Sequence, residues 1–374
     1  MKRGWTIVAA LLLALAAYLL LWPVPIAPVA WQAAKSAGYQ GTHARNTRLA
    51  AATQISTAPE IGPEHIVFGP DGKLYTGMLS GAILRMNADG SERETYVDTG
   101  GRPLGLDFDA GGRLIVADAF RGLLAVGADR SITVLVDKIG AAPILFADAV
   151  VVASDGRLLF TDASQRLSAK RHGTFDAALL DILEHSCTGR VLEFDPATAS
   201  TRAVIGGLCF PNGIALSADQ SHFFIAETGE YRIWKVARTA RDLDARAAAT
   251  SGSDPQARVI AANLPGFPDN LTRGADGRLW TGFTKPRSDA IDAMAAKPLL
   301  RAITLRLPRF LWPVPPVYGH IMAFDEDGRV VADLQDPSGT LPETSGATEH
   351  AGRIYVQSLH APALGVIDLA HAGL

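Results

Sequence analysis

An all-β, six-bladed β-propeller behind an N-terminal transmembrane helix is the architecture this sequence predicts. Three observations carry it: a β-hairpin motif that recurs along the chain, polar residues at one fixed distance before that motif, and an unbroken apolar run at the N-terminus.

The hairpin is clearest at Pro70-Asp71-Gly72-Lys73-Leu74-Tyr75-Thr76-Gly77, Ser154-Asp155-Gly156-Arg157-Leu158-Leu159-Phe160-Thr161 and Ala275-Asp276-Gly277-Arg278-Leu279-Trp280-Thr281-Gly282. Weaker copies are Ala110-Gly111-Gly112-Arg113-Leu114, Ala218-Asp219-Gln220-Ser221-His222 and His350-Ala351-Gly352-Arg353-Ile354. Asp-Gly between apolar β-type runs is a strong hairpin signal, because Gly accepts a positive φ at no steric cost. A second hairpin follows in most copies, as at Ile83–Met86 before Asn87-Ala88-Asp89-Gly90, and at Ile321–Phe324 before Asp325-Glu326-Asp327-Gly328. Four strands in each of six units give a ring of blades, which shortens and protects the sheet edges. The last unit is one strand short, and part of Leu49 to Ser56 is expected to supply it by pairing beside Leu364–Asp368.

Composition fits one large β domain. The 374 residues include 36 Gly and 22 Pro, enough for many tight turns, and 48% hydrophobic with 20% charged residues is ordinary for a globular fold. A net charge of −3, without any basic stripe interleaved with aromatics, argues against nucleic-acid binding.

Lys2-Arg3 precede an uncharged apolar run from Trp5 to Trp22, and these 18 residues would span about 27 Å as a helix. Trp5, Tyr18 and Trp22 near its ends suit the membrane interface. A cleavable signal peptide is the competing reading, but the Pro-rich exit Pro23-Val24-Pro25-Ile26-Ala27-Pro28 lacks its usual small-residue site. The expected division is a cytoplasmic tip and signal anchor over 1–22, a linker over 23–46 and the propeller over 47–374, lying outside the cytoplasm. Cys187 and Cys209 flank a predicted hairpin turning at Asp195–Ser200, which brings the thiols near each other; a disulfide and two separate buried thiols both remain open.

Seven residues before the Asp position of each hairpin stand Glu64, Leu104, Asp148, Asn212, Asp269 and Thr344. Four of these six carry a carboxylate or amide oxygen. Equivalent positions in a radial array point the same way, so these oxygens are expected to converge on the axis, where they would suit a hard cation. No His or Cys occurs among them, which disfavours zinc. Taken singly, each residue could instead cap a strand end.

Gly62-Pro63-Glu64, Phe160-Thr161-Asp162-Ala163-Ser164, Phe210-Pro211-Asn212-Gly213-Ile214-Ala215-Leu216-Ser217 and Gly266-Phe267-Pro268-Asp269-Asn270 occur in this order. Over about 61–368 the chain resembles the strictosidine synthase-like / adipocyte plasma membrane-associated protein family, and more distantly the gluconolactonases of the senescence-marker-protein family and the paraoxonases. The resemblance implies Ca²⁺ in the central channel and, in many members, lactonase or arylesterase activity. It also implies Glu64, Asn212 and Asp269 as calcium ligands, with Asp148 at a position often filled by Asn or Asp, and Asn270 as an added ligand. Asp269 becomes the candidate general base by the same resemblance; the sequence itself does not separate it from Asp148. The family's namesake condensation of an amine with an aldehyde needs a Glu in the last blade, where Ser345 stands; Glu343 or Glu349 could serve only in another alignment.

No Gly-x-Ser-x-Gly elbow occurs, which removes a serine-hydrolase reading. His65 follows Glu64 and should point away from the axis by strand alternation. His185, His320 and His350 fall near predicted strand starts, where they could border the channel mouth. Two insertions are expected to shape specificity. About 165–185 carries a short amphipathic helix pattern after Arg166, Lys170 and Arg171. About 288–316 mixes apolar residues with Arg301, Arg306 and Arg309, which suits a lid, a membrane-resting surface or a cover for the rim. The expected function is Ca²⁺-dependent hydrolysis of esters or lactones on a membrane-tethered propeller. The alternative is a non-catalytic propeller that binds a ligand or protein around a structural ion.

Overall fold

In the computed structural model, which describes residues 2–252 and 254–374, six antiparallel sheets are arranged as blades. From blade I to blade VI the innermost strands are Ile66–Phe68, Pro103–Phe108, Ala147–Val152, Pro211–Leu216, Gly266–Arg273 and Ala347–His350. Each pairs with the next strand through the turn that the repeat marks, as in Phe68↔Leu74 and Val152↔Leu158. Gly72 and Gly156 in those turns have φ of 74° and 84°, conformations that favour glycine. Blade III gains a short fifth strand, Leu243–Asp244, parallel to Ser200–Leu208.

The ring closes as expected. Thr53–Ser56 forms the outer strand of blade VI, with Thr53↔Val366 and Ser56↔Ala363 in antiparallel register. Only these four residues of the 49–56 stretch are extended. Arg48–Ala51 form a 3₁₀ turn that buries Leu49 among Trp280, Ile321 and Leu334. The core lies between faces of neighbouring blades, where Trp234 and Trp280 are fully buried.

Among the described residues six α-helices stand outside the strand pattern: α1 (Lys2–Leu21), α2 (Ala169–His172), α3 (Thr174–Glu184), α4 (Ala245–Ser251), α5 (Asp289–Ala293) and α6 (Pro298–Thr304). Helix α1 is exposed along its length and, over Arg3–Leu21, has a mean hydropathy of 2.3, long and apolar enough to cross a membrane. The segment expected as a linker is docked. Val29 N donates to Glu184 O at 2.8 Å, Trp31 N to Ala295 O at 3.2 Å, and Ile26 packs against Leu167, Leu180 and Leu183.

The two insertions hold α2 with α3, and α5 with α6. Arg301 ties them together while fully buried: it donates to Leu183 O at 2.7 Å and Ala295 O at 3.2 Å, and stacks 4.5 Å over Trp31. Its bond to Leu183 O satisfies a carbonyl near the C-terminus of α3 that has no partner within the helix. Cys187 and Cys209 are joined by a disulfide. They sit just outside the Gly189↔Leu208 pair, at the open end of the blade III hairpin.

Candidate functional site

On four inner strands the pairing slips at the same place: between Pro103 and Gly105, Ala147 and Val150, Pro211 and Ile214, and Pro268 and Leu271. A bulge of this kind re-aims a side chain. The residues carried in the four bulges are Leu104, Asp148, Asn212 and Asp269, which explains in backbone terms why a fixed offset from the hairpin marked them. Gly213 follows Asn212 because a Cβ there would meet Asp269 O at 2.5 Å; its absence lets the inner strands of blades IV and V approach.

Asp148, Asn212 and Asp269 line one cavity, about 970 Å³ with the open solvent at its mouth included, together with Glu64, which precedes the inner strand of blade I. All four are buried. Asn270 lies beside this group and not on the cavity wall: its amide donates to Glu64 O at 2.9 Å, tying blade V to blade I. Thr344 is turned aside, its hydroxyl accepting from His320 N at 2.9 Å and donating to His320 O at 2.8 Å.

Burial, then the neighbouring Glu64 carboxylate, pushes the Asp148 carboxyl well above the usual range. Burial, with Glu64 and Asp148, does the same to Asp269. Glu64 is also raised by burial, against the opposing pull of Arg102, whose Nη2 lies 3.3 Å from Glu64 Oε2. Arg102 has no counterpart in the repeat register and sequence reasoning missed it. Among the charged groups of the cavity, Lys285 cancels Glu343, and Arg102 cancels one of Glu64, Asp148 and Asp269. Two negative charges remain if all are ionised (three carboxylates less one guanidinium). Asn212 Oδ1, Asp269 Oδ1 and Asn270 Oδ1 are buried without hydrogen-bond partners. On the cavity wall two of these oxygens, Asn212 Oδ1 and Asp269 Oδ1, are unpaired, and with a surplus of two charges the set fits a divalent hard cation such as Ca²⁺.

The walls are mainly apolar. Leu104, Phe146, Phe210 and Phe267 come from the blades, and Phe175, Leu179 and Val314 from the insertions. At the rim Lys285 Nζ pairs with Glu343 Oε1 at 2.8 Å, and His360 Nδ1 bonds Glu343 Oε2. Burial opposes ionisation of Glu343, but the bonds from His360 and Lys285 outweigh it and hold the carboxyl below its ordinary range.

The histidines expected near the mouth lie elsewhere. His320 is buried against Asp333 at 2.9 Å, His185 bonds Glu230 at 2.8 Å and stacks on Trp31, and His350 stacks on Phe68. Their carboxylate and ring partners, not the channel, use their polar and flat faces; the histidine on the cavity is His360. His65 points away from the axis as expected, accepting from Leu106 N at 3.2 Å, and burial lowers its pKa to about 4. Ser345 donates to Glu64 O at 2.7 Å, and Glu349 is held by Arg278, Trp280 Nε1 and Ala275 N. Of the two alternative glutamates, only Glu343 reaches the cavity.

The profile for the N-terminal region of strictosidine synthase-like proteins matches residues 41–86, and that for strictosidine synthase matches 148–239. Protein strictosidine synthase-like 13 of Arabidopsis thaliana is 32% identical over 314 residues, covering 75% of this chain and 73% of that one. The adipocyte plasma membrane-associated protein of Danio rerio is 29% identical over 390 residues, covering 98% and 89%. Among solved structures, a gluconolactonase from Xanthomonas campestris superposes with a TM-score of 0.58 at 18% identity, covering 92% of this chain and 98% of that one. The calcium-binding protein regucalcin from Agrobacterium tumefaciens gives 0.57 at 13%, covering 85% and 94%. At such identities the two structures attest the six-bladed fold alone. With relatives of this similarity along most of its length, the chain belongs to the strictosidine synthase-like / adipocyte plasma membrane-associated protein family.

Proposed function

We propose that the hub is a Ca²⁺ centre and that the protein hydrolyses esters or lactones in the cavity above it. The observation that carries this reading is the convergence of oxygen-bearing side chains from four blades on one cavity, with partnerless buried oxygens and two surplus negative charges. Glu64, Asp148, Asn212 and Asp269 would hold the ion, with Asn270 backing Glu64. When bound, the ion supplies a Lewis-acid contact for the carbonyl oxygen and for the oxyanion that follows water attack. Asp269 takes the proton of the attacking water and returns it to the leaving oxygen as the carbonyl re-forms and the C–O bond to that oxygen breaks. Burial raises its proton affinity, which suits a base. The apolar walls exclude bulk water and seat the acyl or aryl group. The Lys285–Glu343–His360 cluster sets a polar edge where substrate enters. Amine–aldehyde condensation is not part of this proposal, because the Ser345 hydroxyl is already engaged with Glu64 O and is no carboxylate.

The test is the full chain in detergent, assayed on aryl esters and lactones with and without chelator. Hydrolysis that disappears in chelator and returns with Ca²⁺ is the expected result. Activity indifferent to chelator would remove the metal from the reaction. A protein stabilised by Ca²⁺ but without turnover would be the ligand-binding propeller instead.

A further inference from the structure

The insertion over 288–316 is fastened to the outer end of helix α1. Arg306 donates to Leu19 O at 2.9 Å and Trp22 O at 2.6 Å, covering carbonyls left open at the helix C-terminus, and Tyr18 Oη donates to Arg306 O at 3.0 Å. A helix that crosses a bilayer therefore fixes this insertion at the height of the lipid headgroups. The same insertion leaves large apolar groups uncovered: Phe310 is 84% exposed, and Leu299, Leu300 and Leu311 are also exposed. Scattered apolar residues on a surface need no explanation, but these sit beside the membrane span. Three residues beyond Leu311 the chain reaches the cavity, which Val314 and Pro315 line together with Phe175 of the other insertion.

We infer that Phe310 and its apolar neighbours rest in the bilayer surface and that the cavity opens there, so that its substrates are amphiphilic esters or lactones drawn from the membrane. The inference rests on α1 as a membrane span and, for the substrate class, on the hydrolase reading. The occupant of the exposed apolar face is the lipid bilayer, because that face continues directly from α1. An acyl chain passing between Phe175 and Val314 would stay in apolar surroundings from the lipid to the hub, where the carbonyl group reacts.

The test uses the full chain in phosphatidylcholine nanodiscs. Both native cysteines are in the disulfide, so Phe310→Cys provides the single thiol for an environment-sensitive nitrobenzoxadiazole label. Ala110→Cys, in the hairpin turn at the far end of the blade II inner strand, is the control. Lipids carrying a nitroxide on the acyl chain should quench the label at 310 and leave that at 110 unchanged. Equal quenching at both positions, none at either, or crosslinking of 310 to 310 between copies overturns the membrane contact. A second arm compares dodecanoyl and acetyl aryl esters in the Phe310→Ser/Leu311→Ser variant. kcat/KM for the dodecanoyl ester should fall roughly 10-fold or more with the acetyl ester unaffected; equal changes for the two overturn the substrate class. A quenched label with no hydrolysis of either ester by the unsubstituted protein overturns the hydrolase reading and the substrate class together, while supporting the membrane contact.

Discussion

The hub and the two insertions, together called the lid, line one cavity and are built by opposite rules. Three of the hub's four polar residues, Asp148, Asn212 and Asp269, sit in the same bulge at the start of their inner strands, and the hub collects buried polar atoms. The lid is made once, from two insertions with no copy elsewhere, and it collects apolar side chains held by a single buried arginine. The buried polar groups thus come from the part of the fold whose geometry is repeated, and the apolar surface from unrepeated insertions.

The sharpest separation between the two is catalytic. Asp269→Ala should lower hydrolysis of a small aryl ester by about 10²–10⁴-fold, whereas Phe175→Ala in the lid should leave it within a few-fold. Comparable losses in both variants would erase the distinction. Next is Arg102→Met, which removes the one cation that, among the described residues, is paired with the hub carboxylates in the cavity. Breaking a buried pair costs about 3–5 kcal/mol, and denaturant unfolding should show that loss in chelator but much less of it in Ca²⁺. Failure of Ca²⁺ to restore stability would contradict the charge balance proposed for the hub.

In the lid, burial raises the Asp181 carboxyl from 3.8 to about 7, with Glu184 adding to the effect and a hydrogen bond from Ser164 opposing it. The folded chain keeps this proton to about pH 7, while the unfolded chain releases it near pH 4. Its contribution therefore declines as pH rises between those values, by roughly 4 kcal/mol, and is level above. Asp181→Asn cannot ionise, so unfolding curves at pH 4.5 and pH 8 should show the variant gaining on the parent at the higher pH. The smallest effect expected is reduction of Cys187–Cys209, which spans 22 residues. Opening that loop should cost roughly 3 kcal/mol, read as a lower melting temperature in reductant.

The repeat was legible because its turns need particular residues. Asp71-Gly72 and Asp155-Gly156 mark positive-φ hairpins, and the bulge lies a fixed number of residues earlier, so Asp148, Asn212 and Asp269 could be found by counting. The closing strand was legible from a blade lacking its fourth member. Arg102 was not, since blade II contributes Leu104 at the counted position and nothing periodic selects the residue two places before it. Lys285, Glu343 and His360 meet at the rim from segments far apart in sequence, so spacing carries no trace of their contact. The docking of 23–46 escaped for another reason: much of it runs through backbone bonds such as Val29 N to Glu184 O, which any residue but proline can make.

The pairing of Thr53–Ser56 with Ala363–Asp368 has a consequence for biosynthesis. The first strand to leave the ribosome finds its only sheet neighbour among the last, about 310 residues later, so blade VI stays incomplete while blades I to V are being made. Folding must keep that early strand from joining another chain's sheet in the meantime. A chain cut short anywhere before residue 363 would therefore leave an open ring with an unpaired, sticky edge.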